Sequence, residues 1–307
     1  MAAAMDRVAL RRLTAAPLLA AIAGAASGHD VAAQSAPALG WTLEPWVVAC
    51  LAVSAALYAL GLARLLPKAG QSRPQLWRRA VYFCLGWCAL VAALVSPLDA
   101  MGSYLFSAHM LQHELMMIVA APLMVMARPF GVWAWALPAA SRRGTAGVTR
   151  NRVVGTVWQL LTWPLFAWLL HAVVLWLWHA PVFFEAALHS NAIHTAQHIS
   201  FLGSALLFWW AVLGDGTFRP RRGPAMLYIF TTMAHTGALG ALLTWSSVIW
   251  YPSYVGAGEA FGMAALEDQQ LGGLIMWVPG GLAYLFAGLA LAGKWLARTP
   301  ATQGGAG

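Results

Sequence analysis

Histidines recur at four-residue intervals on two separate apolar stretches of the chain, and this spacing suits metal binding. His109 and His113 form one pair, and His194 and His198 form the other. Residues four apart lie on one face of an α-helix, so each pair can present two imidazoles to one ion. Imidazole is a common ligand of copper, zinc and iron. We therefore predict that the two pairs bind a metal or a haem, and that His179 joins them from a third stretch.

A second set of residues could assist these predicted ligands. Methionine thioethers are soft ligands that favour Cu(I) over hard cations, and a neighbouring amide or carboxylate can orient a ligand imidazole. Asp268 and Gln269 could act in this way at the rim of the cluster, or they could cap a helix at the membrane surface. His235 lies in mid-span and is as readily a hydrogen-bonded core residue as a ligand. The accessory candidates are Met110, Gln112, Met116, His235, Asp268 and Gln269.

Other interpretations of these residues stay open at this stage. The histidines could form hydrogen bonds between helices, as polar side chains in membranes commonly do, or they could line a proton path or contact a quinone. Ionisable residues inside membrane spans are costly, which makes them functional candidates in each case. Cys84 and Cys88 also lie four residues apart, and the sequence does not separate a packing role from a copper relay.

The composition indicates that membrane helices position these side chains. Of the 307 residues 61% are hydrophobic and 9% are charged, whereas soluble domains are about 45–50% apolar and about 25% charged. This excludes a disordered chain, a disulfide-rich secreted domain and a cytosolic nucleic-acid-binding protein. We predict an all-α integral membrane protein, a seven-transmembrane helical bundle over residues 46–295. Its seven apolar runs, each long enough to cross a hydrocarbon core of ~30 Å, are 46–66, 79–98, 104–127, 157–178, 192–213, 224–246 and 272–293.

Basic residues predict the orientation of the bundle. In this arrangement all 18 Lys and Arg residues fall on one side of the membrane, and the positive-inside rule assigns that side to the cytoplasm. The mature chain is then N-out/C-in, with the paired histidines in the outer leaflet, and its net charge of +8 reports topology rather than affinity for nucleic acid. Residues 1–33 resemble a signal peptide or an uncleaved signal anchor. Residues 34–45 would form a short periplasmic linker, and residues 296–307 a flexible cytoplasmic tail.

Four motifs resemble those of the CtaG family, the seven-helix assembly factors named for the caa3-type cytochrome c oxidase. The resemblance covers roughly residues 45–295. It implies a multi-pass protein of the bacterial inner membrane that helps to mature a haem-copper oxidase by handling copper, with oxidase subunits and the lipid bilayer as partners. The motifs are Ser107–His113 running into Ala121-Pro122-Leu123 and Arg128-Pro129, His179-Ala180-Pro181, His194-x3-His198, and Leu266–Gly273.

We therefore expect a cytochrome c oxidase assembly factor that binds and delivers copper at an outer-leaflet histidine cluster. The alternative is a haem-binding membrane redox protein or haem carrier, with two histidines as axial ligands. A cation transporter and a scaffold with structural histidines are further possibilities. The chain shows no nucleophile–base set, phosphate loop or dinucleotide fingerprint. We accordingly predict no enzymatic activity and no soluble small-molecule substrate.

Overall fold

The computed structural model describes residues 39–214 and 222–297, and within these ranges the chain is helical without any strand. The predicted signal segment 1–33, part of the predicted linker and most of the predicted tail lie outside the described residues. The helices are α1 Pro45–Leu65, α2 Arg73–Leu94, α3 Pro97–Gly102, α4 Phe106–Glu114, α5 Ala121–Ala127, α6 Pro129–Ala136, α7 Ala139–Arg150, α8 Arg152–Leu161, α9 Pro164–His179, α10 Pro181–His189, α11 Asn191–Leu213, α12 Arg222–Thr244 and α13 Ala265–Leu296.

Six helical segments of the described chain are long and apolar enough to cross a membrane. The fourth predicted span, 157–178, is instead a pair of helices, α8 and α9, bent by 61° relative to each other. Proline explains the bend. Pro164 has no N–H to continue the helical ladder, and it drives the preceding Trp163 into an extended conformation with φ −64° and ψ 127°. The described residues therefore contain six candidate spans, or seven if the bent pair crosses as one.

The third span is a continuous rod in which α4 passes through a π-helical turn, Leu115–Ala120, into α5. Pro122 provides the physical reason, because a proline in a helix cannot donate to the carbonyl four residues before it. Widening the ladder relieves this conflict, and the N–H of Ala121 bonds to the carbonyl of Met116, five residues earlier. The rod ends at Arg128, whose φ of 52° is left-handed. The turn begins two residues after His113. It therefore sets how the helix face that carries His109 and His113 is rotated relative to α5.

The last helix packs tightly because glycines remove side chains from its contact faces. A Cβ added to Gly273 would lie 2.6 Å from the carbonyl oxygen of Gly240 on α12. A Cβ added to Gly272 would lie 2.3 Å from Cδ1 of Phe106, the first residue of α4. Small residues let membrane helices approach to backbone contact. Helix α13 is thereby held against both α12 and the helix that carries His109 and His113.

The last helix also begins earlier than predicted, at Ala265 rather than at residue 272. Its first turn holds Glu267 and Asp268, and acidic side chains stabilise a helix N-terminus through its dipole. The predicted outer loop of about 25 residues shortens accordingly. Asp268 and Gln269, which the sequence placed in that loop, are instead buried on α13 against the bundle.

Candidate metal centre

Three histidines from two helices meet in the interior of the bundle. One ring nitrogen from each of His109, His194 and His198 can be chosen so that the three atoms lie within 4.8 Å of one another. His109 and His194 are each the fourth residue of their helix, α4 and α11, so both lie ~4.5 Å along their axes. The depth match that the sequence predicted for these two pairs therefore corresponds to spatial contact in the described structure.

The spacing of the three rings suits a shared ion. The ring centroids of His194 and His198 are 4.0 Å apart, and that of His109 lies 5.3 Å from His194 and 6.2 Å from His198. Nitrogen ligands at about 2.0–2.1 Å from one metal lie roughly 3.3–4.1 Å from each other. Rotamer adjustments of about an ångström would close the triad on an ion. Three nitrogen ligands also leave a position open for exchange with a partner.

Tyr254 orients His109 from the loop between α12 and α13. Its hydroxyl donates to the carbonyl of Gly102 at 2.9 Å and lies 3.3 Å from Nδ1 of His109. Because the single hydroxyl proton is used at Gly102, the tyrosine oxygen accepts from Nδ1–H of His109. The lone pair of that imidazole is then on Nε2, where a metal could bind it. Burial, followed by the charges of Asp268 and Glu185, raises the pKa of Tyr254 well above its usual value, so the hydroxyl keeps its proton.

Asp268 holds the start of the helix that carries His109. Its carboxylate accepts the backbone N–H of Phe106 at 2.5 Å and that of Ser107 at 3.0 Å. Gln269 accepts the N–H of Trp250 at 2.7 Å and donates to the carbonyl of Val248 at 3.0 Å. These bonds cap the start of α4 and hold the loop before α13, and none of them reaches an imidazole. The physical reason for the cap is that the first amides of a helix lack partners within it. Contact of either side chain with a ligand histidine stays a prediction.

His113 and His179 lie beside the triad but outside its ligand grouping. The ring of His113 is 4.5 Å from that of His109 and 5.3 Å from that of His198. His179, the last residue of α9, lies 6.4 Å beyond His113 and donates from Nδ1 to the carbonyl of Leu175 at 2.7 Å. The predicted five-histidine set therefore divides into a compact triad and two neighbours.

The accessory candidates occupy different places. Gln112 donates to the carbonyl of Ala93 at 2.7 Å and to the carboxylate of Asp99 at 2.5 Å, so it joins α4 to α2 and α3. Met116 is fully buried in the core cluster that includes residues of α1 and α2. His235 lies against Trp168, with ring centroids 5.4 Å apart, away from the triad. Met110 lies 3.4 Å from Nε2 of His179.

Most of the chain matches a known protein family. The profile of the cytochrome c oxidase caa3 assembly factor family (Caa3_CtaG) matches residues 56–298. The chain belongs to this family. The matched range contains the triad, both neighbouring histidines and Tyr254, so the whole candidate centre lies within the family domain. The resemblance noted in the sequence motifs is thereby confirmed.

Three relatives of this Caa3_CtaG chain are mycobacterial proteins. Uncharacterized proteins of Mycobacterium bovis and Mycobacterium tuberculosis are each 27% identical to it over 266 residues, and one of Mycobacterium leprae is 26% identical over 262 residues. Each alignment covers 83% of this chain but 39% of the relative. The chain thus spans about two fifths of the length of these relatives. No solved structure matches it.

A cleft in this Caa3_CtaG protein is lined by two histidines of the triad, His194 and His198. The cleft, of about 250 Å³, lies between α1 and α11. At its rim Asn191 donates to the carboxylate of Glu44 at 3.2 Å. A carboxylate such as Glu44 attracts cations, and the imidazoles of His194 and His198 line the same cleft. Its walls include Glu44, Cys50, Asp99, Met116, His194 and His198.

Tyr254 and the loop contacts around it were not among the predicted site residues. Ser253, its neighbour, hydrogen-bonds through its hydroxyl to the carboxylate of Glu185 and lies 3.3 Å from Nε2 of His189. Tyr251 donates from its hydroxyl to the carbonyl of His179 at 2.8 Å. These bonds hold the loop between α12 and α13 against the end of the bundle that carries the histidines. This loop shows neither helical nor strand periodicity. The only sequence feature that could have indicated its role is the pair Tyr251 and Tyr254, shortly before the polar first turn of α13.

Proposed function

We propose that this protein is an assembly factor of a haem-copper oxidase that binds copper at His109, His194 and His198. The observation that carries the proposal is the convergence of three imidazole nitrogens within 4.8 Å. Imidazole ligands suit copper, and the family is defined by cytochrome c oxidase assembly. The proposed role is that of a carrier that catalyses no reaction. Its partners are the oxidase subunits that receive the ion and the lipid bilayer that surrounds the helices.

The proposed orientation places the triad at the periplasmic face of a bacterial inner membrane. Supporting this, Arg64, Lys68 and Arg142 gather around Trp135, through a 2.5 Å bond from Arg64 to the neighbouring Ala136 carbonyl and two cation–π contacts. This basic end of α1 is ~31 Å from the Glu44 end, since the helix has 21 residues. The positive-inside rule would put the basic end in the cytoplasm, and the triad then lies opposite.

The haem alternative is distinguished by absorption. A haem bound through two axial imidazoles would show an intense Soret absorption band. No contact within the described residues favours a porphyrin over a single ion. A colourless protein that binds copper would exclude haem as the resident group, whereas a haem band lost on replacing His109 or His198 would exclude the copper proposal.

A cellular experiment tests the proposed delivery role. Cells that lack the chromosomal copy would express the wild-type chain, the double variant His194→Ala/His198→Ala, or the control His235→Ala. We expect the double variant to be present in the membrane while oxidase activity and the copper content of the oxidase fall several-fold. His235→Ala should retain both, because its ring lies outside the triad. Normal oxidase copper in cells with the double variant would contradict the proposal.

A further inference from the structure

A second donor set lies next to the triad, and it contains sulfur. Nε2 of His179 is 3.4 Å from Sδ of Met110. Both side chains are buried, with 1% and 0% of their surface exposed. Met110 comes from α4 and His179 from the end of α9, so the contact joins two helices. Because both side chains are buried away from water, the contact must be stabilised by the protein itself or by a bound ion.

The tautomer of His179 leaves its contact with Met110 without a bridging proton. A carbonyl oxygen can only accept a hydrogen bond, so the 2.7 Å contact with Leu175 requires the proton of His179 to be on Nδ1. Nε2 of the neutral ring then carries a lone pair and no proton. A thioether sulfur is likewise an acceptor. Two acceptor atoms therefore lie in contact at 3.4 Å with no proton between them, and a Lewis acid bound there could accept a lone pair from each.

The separation of the two atoms fits a shared ion. In zinc sites the metal–nitrogen bond is about 2.0 Å and the metal–sulfur bond about 2.3 Å. With these bond lengths, an N···S distance of 3.4 Å corresponds to an N–metal–S angle of roughly 104°. This is close to the tetrahedral angle. Neither side chain would have to move far to bind, since the pair is already spaced as two ligands of one metal.

His113 supplies a third donor on the side that faces the triad. The residue is 1% exposed, and both of its ring nitrogens lack a hydrogen-bond partner among the described residues. Its ring lies 6.4 Å from that of His179 and 4.5 Å from that of His109. An unpartnered imidazole in an apolar interior is costly. Coordination of an ion through one nitrogen would offset that cost.

The donors define the class of ion. Two imidazoles and one thioether are neutral and partly soft, and no carboxylate belongs to the set, which favours a soft ion over Zn²⁺ or Ca²⁺. Burial of a single charge costs less than burial of two. The rings of Phe201 and Phe184 lie 5.9 Å and 6.4 Å from that of His179 and help to exclude water. We propose that Met110, His113 and His179 form a second, inner site for a soft monovalent cation, Cu(I) or its analogue Ag(I).

This inner site rests on the proposed function, because the triad would supply its ion from the outside. His113 lies between the two sites, close to the rings of His109 and His198. The chain would then hold two monovalent ions, one bound by nitrogen alone and one bound by nitrogen and sulfur. The triad is open to the cleft, while the inner site is sealed by aromatic rings. The arrangement would allow the protein to retain one ion while it exchanges the other.

Metal titration of the full-length protein tests the inner site. Every protein in this test carries Ser in place of Cys50, Cys84 and Cys88, because these exposed free thiols would bind soft ions themselves, and the term wild type here means that background. Each purified protein, in detergent and kept anaerobic, would be titrated with Ag(I) and separately with Cu(I), and bound metal would be counted and examined by X-ray absorption. Met110→Leu removes the sulfur at nearly constant volume, and Met116→Leu is the matched control because Met116 is equally buried. We expect two ions and a sulfur neighbour in the wild type and in Met116→Leu. Met110→Leu should bind one ion without a sulfur neighbour.

Further variants separate the two proposals. His179→Gln should behave like Met110→Leu, which keeps the test decisive if either variant folds poorly. The double variant His194→Ala/His198→Ala should keep one sulfur-bound ion. A wild-type protein that binds one ion through nitrogen alone would overturn the inner site and leave the triad intact. Two ions bound by the double variant would instead overturn the triad, and an unchanged sulfur signal in Met110→Leu would overturn the inner site.

Discussion

The carboxylate of Asp268 accepts the backbone N–H of Ser107 at 3.0 Å, although 161 residues separate them in the chain. The last helix therefore fixes the first turn of the helix that carries His109 and His113. A charged acceptor at a helix start is worth more than a neutral one, because it satisfies the free amides and interacts with the dipole. The position of His109 in the candidate metal centre depends on this contact between α4 and α13.

Replacing Asp268 should loosen the triad without removing a ligand. We expect Asp268→Ala to lower the free energy of unfolding by about 1–2 kcal/mol, the range for loss of a helix cap. Copper affinity should also fall, by roughly tenfold, as His109 becomes less well positioned. Thermal unfolding in detergent and Cu(I) competition would measure the two effects. Glu267→Ala, at the exposed neighbouring position, is the control. It also removes an acid from the first turn of α13, but within the described residues no hydrogen bond joins it to α4, so it should leave the copper affinity unchanged.

The hydroxyl of Tyr254 should tune the affinity of the triad. Tyr254→Phe removes the acceptor for Nδ1–H of His109, so we expect a roughly 10- to 100-fold loss of copper affinity, as for other partners of ligand histidines. Tyr251→Phe is the matched control, because that hydroxyl bonds to the carbonyl of His179 instead. Equal affinities in the two variants would show that Tyr254 does not orient a ligand.

The Tyr254 hydroxyl should not add a pH dependence of its own near neutrality. Burial raises its pKa well above the usual value, so the neutral, hydrogen-bonding form persists throughout the range below about pH 10. A titration of copper affinity between about pH 7 and 9 should therefore show the same slope in wild type and Tyr254→Phe. A slope that differs between them would mean that the tyrosine ionises in this range.

Glycine at position 272 should be required for assembly of the bundle. Gly272→Ala places a Cβ 2.3 Å from the ring of Phe106, and relief of such overpacking typically costs about 1–3 kcal/mol. We expect less folded protein in membranes and a lower unfolding temperature. The control is Gly281→Ala on the same helix, where an added Cβ has no atom within 4 Å. A wild-type yield from Gly272→Ala would mean that the two helices are not in close contact.

Glu44 should affect how fast copper reaches the triad rather than how tightly it binds. Glu44→Gln removes a negative charge from the rim of the cleft, so we expect a several-fold slower loading rate at low salt. The equilibrium affinity should not change, because Glu44 is not a proposed ligand. Stopped-flow loading at two salt concentrations would measure this, with Glu259→Gln as an exposed acidic control. Equal rates for all three proteins would exclude the cleft as the route.

Local pattern accounts for the parts of the protein that the sequence predicts well. Apolar runs identify membrane helices because the hydrocarbon core favours apolar side chains and a helix satisfies its own backbone hydrogen bonds. Six of the predicted runs correspond to candidate spans. The pairs His109/His113 and His194/His198 were identifiable because helical periodicity puts each pair on one face. Their equal depth was also predictable, because both helices carry the histidines near the same end. That the two helices lie side by side was not.

Tertiary contacts account for the rest. Pro164 was visible in the sequence, but whether a proline kinks a span or breaks it into two helices depends on neighbouring packing. The partners of Asp268 and Tyr254 are more than 140 residues away, beyond any local periodicity. The division of five histidines into a triad and an inner pair likewise depends on how α9 meets α4, which spacing along one helix does not determine.

The central claim is that the triad binds copper, and Cu(I) affinity in competition with a chelator tests it most directly. The proteins to compare are the wild type, His194→Ala/His198→Ala and the control His235→Ala, each purified and confirmed to be folded. We predict that the double variant loses at least 100-fold in affinity at one of its copper positions, while His235→Ala matches the wild type. Indistinguishable affinities and stoichiometries in all three proteins would contradict the account.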